Sequence, residues 1–150
     1  MQSLHHLWMK TYLRLNRMVL TQTAKLGLSP GQPKVLEYLF LHGENEQKAI
    51  AMHCEIEPAT VGNILSRMEA AGLVVRRQKP GNRRSLYVSL TEKGEALAVH
   101  LTEIFAAAEA QMTASLTEQE KQQLYQLLEK CEKTETKDGD VWETKQSEKM

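Results

Sequence analysis

The chain has 150 residues, of which 41% are apolar and 25% are charged, and its formal net charge is zero. These values are typical of one soluble globular domain, and no stretch approaches the roughly 20 apolar residues of a membrane helix. The N-terminus lacks the basic-then-apolar order of a secretory signal, and two cysteines are too few for a disulfide scaffold. We therefore expect a cytoplasmic protein with reduced thiols and no membrane partner.

The charges are unevenly distributed along the chain. Residues 1–28 carry a net charge of +4 and residues 67–93 a net charge of +5, whereas 29–66, 94–116 and 117–150 each carry −3. A nucleic acid responds to the local potential at the contact surface, so a neutral total does not exclude such a partner.

Two helices are predicted in the first third of the chain. Apolar residues at helical spacing predict a helix over residues 4–24, and because they occupy more than one side, we expect one neighbour to come from another chain. Ser29 as a cap, Pro30 at the first helical position and Gln32 reaching back predict the start of the second helix, and Gly43 its end. The predicted buried face of this helix consists of Val35, Leu36, Leu39 and Phe40.

A short third helix is predicted from a cap at Asn45 to about His53, and Pro58 opens a fourth helix that Gly72 closes. The turn between the two helices has three to four residues. This spacing is typical of a helix-turn-helix, in which the second helix enters a DNA major groove. The predicted apolar stripe of the fourth helix is Val61, Ile64, Leu65 and Met68.

After the fourth helix the periodicity changes. Residues 73–77 and 85–90 are rich in strand-forming residues and flank a Pro-Gly-Asn turn, which predicts a β-hairpin. Thr91 is the predicted cap of a long helix, and residues 117–120 form a capping-box sequence that starts the last helix. Cys131 falls on the apolar stripe of that helix, so we expect it to be buried. The polar segment after it has Trp142 as its one candidate anchor.

The surface of the fourth helix opposite its apolar stripe is small, polar and free of acidic groups in its N-terminal half. We expect Thr60 and Asn63 to contact base edges and Ser66 and Arg67 to reach phosphate or guanine. Gly62 costs a helix interior about 1 kcal/mol relative to alanine, which a close approach to a DNA backbone would explain. A neutral solvated face is the alternative interpretation. The predicted DNA-binding set on this helix is Pro58, Ala59, Thr60, Asn63, Ser66 and Arg67.

The predicted hairpin carries five basic side chains and no acidic one between Arg76 and Arg84. An arginine at such a tip suits a minor groove, whose negative potential attracts guanidinium groups. The predicted contacts from the hairpin are Arg77, Lys79, Arg83 and Arg84.

These motifs together resemble the multiple antibiotic resistance regulator (MarR) family of winged-helix transcription factors. The resemblance extends over about residues 5–133 and is carried by segments 29–32, 60–76, 82–85 and 88–94. It implies a mainly α fold with a small β-hairpin wing, namely a winged helix-turn-helix with N- and C-terminal dimerisation helices. The implied regions are 1–28 and 94–133 for dimerisation, 29–93 for DNA binding and 134–150 as a polar tail.

The resemblance further implies a homodimer that binds double-stranded DNA at a palindromic operator. It assigns Arg84, with Arg83 beside it, to the minor groove. The family usually carries an aspartate at the position of Asn82, and asparagine lacks that charge. Family members commonly bind a small anionic or phenolic effector that lowers DNA affinity, and the resemblance places such a crevice near Tyr12, Tyr38, His42 and parts of 94–105.

Other kinds of site have weaker sequence support. The histidines form no ligand pair at i, i+3 or i+4 and the cysteines no Cys-x-x-Cys motif, so no metal and no cofactor are predicted, although His42 with His100 remains a candidate pair. No hydrolase, phosphate-loop or dinucleotide motif is present, and we expect no enzyme activity. The leading hypothesis is a ligand-relieved repressor. The alternatives are a winged-helix protein-interaction module without DNA binding and a metal- or thiol-sensing regulator in which Cys54 could respond to oxidation.

Overall fold

A computed structural model describes residues 1–135, except for the side chains of Asn82 and Arg83. Trp142 and nearly all of the predicted tail lie outside the described residues. The helices are α1 (Leu4–Ala24), α2 (Gln32–His42), α3 (Gln47–Cys54), α4 (Pro58–Ala70), α5 (Glu92–Met112) and α6 (Glu118–Glu132), and the strands are β1 (Asn45–Glu46), β2 (Val74–Lys79) and β3 (Asn82–Leu90). The mainly α fold with a small hairpin wing is therefore confirmed.

The three strands form one antiparallel sheet in the order β1-β3-β2. The hairpin of β2 and β3 pairs Val74 with Leu90 at its base and turns at Gly81, whose φ of 84° suits glycine. On its other side β3 pairs with β1, with Asn45 opposite Val88. The wing is thus fastened along both edges of its central strand.

The core of the unit formed by residues 1–112 lies where α2, α3, α4 and the sheet base meet, with α5 packed against α1 and α2. Its completely enclosed side chains come from α2, α3, α4, β3 and α5: Val35, Leu36, Ile50, Val61, Leu65, Met68, Val88 and Leu101. The predicted stripe of α4 is confirmed. The prediction for α2 was wrong at one residue, because Phe40 is 39% exposed and Tyr38 takes the buried position instead.

The start of α2 differs from the prediction. Pro30 and Gly31 occupy the middle of a turn in which the Gln32 N–H donates to the Ser29 carbonyl at 3.2 Å. The φ of 93° at Gly31 is left-handed, as in a type II turn, so the helix cannot begin before Gln32. The predicted reach-back is present, since Gln32 Oε1 accepts from the Ser29 N–H at 3.1 Å.

The predicted helix cap at Asn45 was also wrong. Asn45 belongs to β1, and α3 begins two residues later after Glu46. A two-residue strand has no periodicity of its own. Its pairing with β3, more than 40 positions further along the chain, determines its conformation.

The long outer helices expose apolar side chains. Helix α1 begins at residue 4, as predicted, after a cap at Ser3. On this helix Trp8 is 49% exposed and Tyr12 is 54% exposed, and only Thr23 is buried. The second unit, which starts at Thr113, contains α6 with the predicted capping box of Thr117 and Glu120. No residue of α6 is buried in the single chain, so the prediction of a buried Cys131 was wrong for the protomer.

Candidate nucleic-acid interface

The helix-turn-helix is built from α3, three turn residues and α4. Glu55 adopts a left-handed conformation with a φ of 51°, and the Ile56 N–H donates to the Ala51 carbonyl at 3.0 Å, which ends α3. Pro58 then occupies the first turn of α4, where its missing N–H is not needed. The predicted spacing is confirmed.

The outer surface of α4 is continuous and exposed. All six residues that the sequence nominated on this helix lie on the exposed side, namely Pro58, Ala59, Thr60, Asn63, Ser66 and Arg67. The opposite side is buried through Val61, Leu65 and Met68. Because no acidic residue occurs before Glu69, this surface can approach a phosphate backbone without charge repulsion.

Gly62 lies on α4 opposite the start of α3. A Cβ atom at this position would lie 3.3 Å from Nε2 of Gln47, the end of a flexible side chain. The close approach of this glycine to DNA stays a prediction. Oε1 of Gln47 is buried and has no hydrogen-bond partner among the described residues.

Arg76 joins the wing to α4, which is the recognition helix predicted to enter the major groove, and this role of Arg76 was not predicted from the sequence. Its guanidinium donates to Ser66 Oγ at 3.0 Å and to Glu69 Oε1 at 3.3 Å, and its backbone N–H donates to Glu69 Oε2 at 3.0 Å. The hydroxyl oxygen of Ser66 therefore already accepts a hydrogen bond within the protomer. Three bonds between α4 and β2 hold the helix and the wing in one geometry.

Two of the nominated wing cations are paired with a carboxylate. Glu44, in the segment between α2 and β1, contacts Arg77 at 2.5 Å and Lys79 at 3.4 Å. The Lys79 ammonium also lies 4.3 Å from the centre of the Tyr87 ring, and the Tyr87 hydroxyl donates to Glu46 at 3.1 Å. That hydrogen bond raises the pKa of Tyr87, with desolvation adding to it.

The remaining nominated arginines lie on β3. Arg84 is exposed. The side chain of Arg83 lies outside the described part of the chain, so its role stays a prediction.

A cavity of about 720 Å³ opens between the turn that follows α1, the start of α2, the C-terminal half of α4 and α5. Its cationic or titratable lining groups are Arg67, Lys93 and His100, and the rest of the lining is mainly apolar. The Lys93 ammonium also donates to the carbonyl of Ala71 at 2.9 Å, which fixes α5 to the end of α4. Ala96, Leu97 and His100 of segment 94–105 line this cavity.

Tyr12, Tyr38 and His42 do not line this cavity, and their contact with an effector stays a prediction. Tyr38 is 8% exposed, and its ring packs against His42 at 4.7 Å and His53 at 4.4 Å between centroids. Tyr12 lies on the exposed side of α1. Tyr38 and His42 therefore belong to one cluster of rings with His53, whereas the Tyr12 ring is exposed on α1.

The possible metal ligands of residues 1–135 are not clustered. No group of three or more His, Cys, Asp and Glu side chains in this part of the chain is arranged to hold a metal ion. His100 lines the cavity and pairs with Glu103 at 3.6 Å, whereas His42 contacts Tyr38 and His53. Burial raises the pKa of the Cys54 thiol, which keeps it in the less reactive protonated form. None of the described helices is long and apolar enough to cross a membrane.

Known proteins resemble this chain in sequence and in fold. A sequence model of the MarR family matches residues 28–86, which include α2, α3, α4 and most of the wing. The uncharacterised HTH-type transcriptional regulator YkoM of Bacillus subtilis is 26% identical over 129 residues, which are 86% of this chain and 84% of YkoM.

Two further proteins are similar over different extents. The homoprotocatechuate degradative operon repressor of Escherichia coli is 41% identical over 76 residues, and the match spans about half of each chain (51% in both). In fold, the chain resembles a MarR family regulator from Listeria monocytogenes solved with a 26mer DNA, with a TM-score of 0.82, 20% identity and 88% of each chain covered.

Proposed function

The chain belongs to the MarR family of transcriptional regulators, and from this we propose that it is a homodimeric, sequence-specific DNA-binding repressor whose affinity a small molecule lowers. The observation that carries the proposal is the exposed surface of α4 from Pro58 to Arg67, which has no acidic residue and which Arg76 holds beside a basic wing. An α-helix of this kind fits a major groove, and an exposed arginine on the adjacent hairpin fits a minor groove.

The contacts divide by chemistry. Thr60 and Asn63 have polar groups suited to base edges, whereas Arg67 and the wing arginines Arg83 and Arg84 suit phosphates and the minor groove. The Ser66 oxygen accepts from Arg76, and its hydroxyl hydrogen is available to donate to a phosphate oxygen. We assign residues 29–93 to DNA binding.

Dimerisation is assigned to residues 1–28 and 94–133, and 134–150 to a tail outside both regions. The half-exposed apolar side chains of α1 support this assignment, because patches of that kind mark protein interfaces. A two-fold dimer presents two recognition helices and therefore reads a palindrome. A regulator of this type acts on chromosomal DNA, so we place it in the cytoplasm.

The effector is proposed to be a small carboxylate or phenolate that binds in the cavity beside Arg67, Lys93 and His100. Two cationic groups favour an anion, and the apolar lining favours an aromatic or aliphatic body. Arg67 belongs both to this cavity and to the DNA-binding surface. A ligand that binds more tightly to the protein conformation that cannot bind DNA increases the population of that conformation and so lowers the affinity for the operator.

The proposal is tested by selecting duplexes from a randomised library with the purified protein at two salt concentrations. We expect a palindrome whose half-sites lie about one helical turn apart, with affinity that falls steeply as salt rises. Recovery of no preferred duplex at low salt would overturn the DNA-binding function and favour the protein-interaction module.

A matched pair of variants locates the contact. Arg84→Ala is expected to weaken binding roughly tenfold and to flatten the salt dependence by about 0.9 for each protomer. Lys130→Ala on α6 removes the same charge outside the unit that carries the wing, and its affinity should equal that of the wild type. Equal losses in the two variants would contradict the assignment of Arg84.

A further inference from the structure

Glu44 is an acidic residue that lies against a basic wing. Its side chain is 21% exposed, and its two oxygens face two different cations, with Oε2 on Arg77 and Oε1 on Lys79. A carboxylate shared between two wing cations halves the positive charge that these residues offer to a phosphate backbone.

The backbone fixes the position of this carboxylate. Glu44 immediately precedes β1, whose Asn45 and Glu46 pair with Val88 and Tyr87 of the central strand. The Lys79 stem is also held from the other side by the Tyr87 ring. Glu44 is therefore anchored to the wing by strand pairing and does not depend on the ion pairs alone for its location.

Glu44 is ionised under the conditions in which DNA would bind. Partial desolvation acts to raise the pKa of this carboxyl, but hydrogen bonds and charge from Arg77 and Lys79 outweigh it and lower the pKa below its ordinary value. The negative charge is thus present throughout the neutral range.

We propose that Glu44 is an intramolecular competitor of DNA: its carboxylate occupies Arg77 and Lys79 in the free protein, and it thereby limits the affinity of the wing for phosphate. This inference rests on the proposed DNA-binding function. The competition acts on backbone contacts, so it lowers affinity for operator and random duplexes alike and leaves the preferred sequence unchanged.

The competition has a signature in the salt dependence. Either Arg77 stays with Glu44 and contacts no phosphate, or it moves to a phosphate and leaves a bare carboxylate that takes up a cation from solution. Compared with a protein that lacks Glu44, both routes reduce the net number of cations released on DNA binding by about one for each protomer. Because the slope of log K against log salt is about −0.9 for each neutralised phosphate, removing Glu44 should steepen it by about 1.8 for a dimer.

The test measures binding of Glu44→Gln and wild-type protein to a fluorescein-labelled duplex from the selection and to one of random sequence, over a salt series. We expect Glu44→Gln to bind both duplexes roughly threefold to tenfold more tightly at low salt, with the steeper slope, and the gain to shrink as salt rises. Glu135→Gln is the matched control, because it removes the same charge at an exposed residue outside the regions assigned to DNA binding and dimerisation. Its affinity and slope should equal those of the wild type.

A double-mutant cycle identifies the route. If Glu44 acts by occupying Arg77, the gain from Glu44→Gln should fall to less than about half in an Arg77→Gln background, since coupling of this kind is what such cycles measure. An undiminished gain would overturn competition for Arg77 and indicate a general charge effect.

The other outcomes are equally decisive. Weaker binding by Glu44→Gln, with an unchanged or flatter slope, would show that Glu44 positions the cations for DNA and would overturn competition. Unchanged binding would overturn it as well. If wild-type protein binds neither duplex at low salt, it is the proposed function that fails, so the two failures are distinguishable.

Discussion

Substitution of Gly94 by alanine tests how α5 is joined to the recognition helix and the wing. A Cβ atom on Gly94 would lie 2.1 Å from the carbonyl oxygen of Leu73 and 3.3 Å from Cδ2 of Leu90. The first contact is with backbone, which cannot rotate away, and a carbon and a carbonyl oxygen ordinarily stay at least about 3.3 Å apart. Residue 73 and the start of α5 must therefore separate by roughly 1 Å.

That separation strains three hydrogen bonds at the same junction. The Thr91 N–H donates to the Leu73 carbonyl at 3.0 Å, the Thr91 hydroxyl donates to the Gly72 carbonyl, and Lys93 donates to the Ala71 carbonyl at 2.9 Å. Overpacking costs about 1–3 kcal/mol, and a lost hydrogen bond adds about 1 kcal/mol. We expect Gly94→Ala to lose about 2–5 kcal/mol of unfolding free energy and roughly 5–15 °C of melting temperature.

Gly62→Ala is the matched control, because it is the same substitution inside another helix. Its Cβ would meet only the end of the flexible Gln47 side chain, at 3.3 Å, and alanine gains about 1 kcal/mol of helix propensity over glycine. We expect its melting temperature to equal or exceed that of the wild type. Both are measured by circular dichroism at one protein concentration, since dimer melting depends on concentration. A Gly94→Ala protein as stable as the wild type would refute the packing argument.

Two further predictions concern titration and thiol chemistry. Burial raises the pKa of Glu37, partly offset by the charge of His53, so the folded state binds more protons than the unfolded state just above the ordinary value of 4.5. The stability of the folded state therefore falls as the pH rises through this window. Glu37→Gln should raise the melting temperature at neutral pH but not below pH 4.5. A higher melting temperature at both pH values would contradict the burial argument. In a Cys131→Ser variant, the remaining Cys54 thiol, which is 8% exposed and whose pKa burial raises, should react slowly with a thiol reagent until denaturant is added. Rapid reaction of the native protein would instead support a thiol sensor.

Much of the fold was predictable because its signals are local. The bounds of α1 and α4 follow from helical spacing together with Ser3 and Pro58, and the capping box of α6 is visible in four residues. The errors at Phe40 and at Asn45 have the same cause, because the residues that determine the structure at each position are remote in sequence. Phe40 and Tyr38 are both apolar enough for a core, and only packing selects Tyr38, while β1 exists because β3 pairs with it.

The candidate site was predictable on α4 and less so on the wing. Exposure on one helix face follows from the 3.6-residue period, so the nominated side chains of α4 lie together. The lining of the proposed effector cavity could not be predicted in this way, because Arg67 and His100 line a cavity formed by three helices and a turn. No local pattern records which aromatic residues share a surface with them.

The distribution of charge gains a different meaning once the chain is folded. Counted along the sequence, residues 67–93 carry a net charge of +5, but Glu44 lies outside that segment and folds onto it. Arg76 is paired with Glu69, and Arg77 and Lys79 share Glu44, so three of the five basic side chains of the hairpin meet carboxylates of the same protomer. Of the hairpin cations whose side chains are described, Arg84 is the one that these ion pairs leave out. We therefore expect DNA affinity to change more when Glu44 or Arg84 is removed than when a charge is removed elsewhere on the surface.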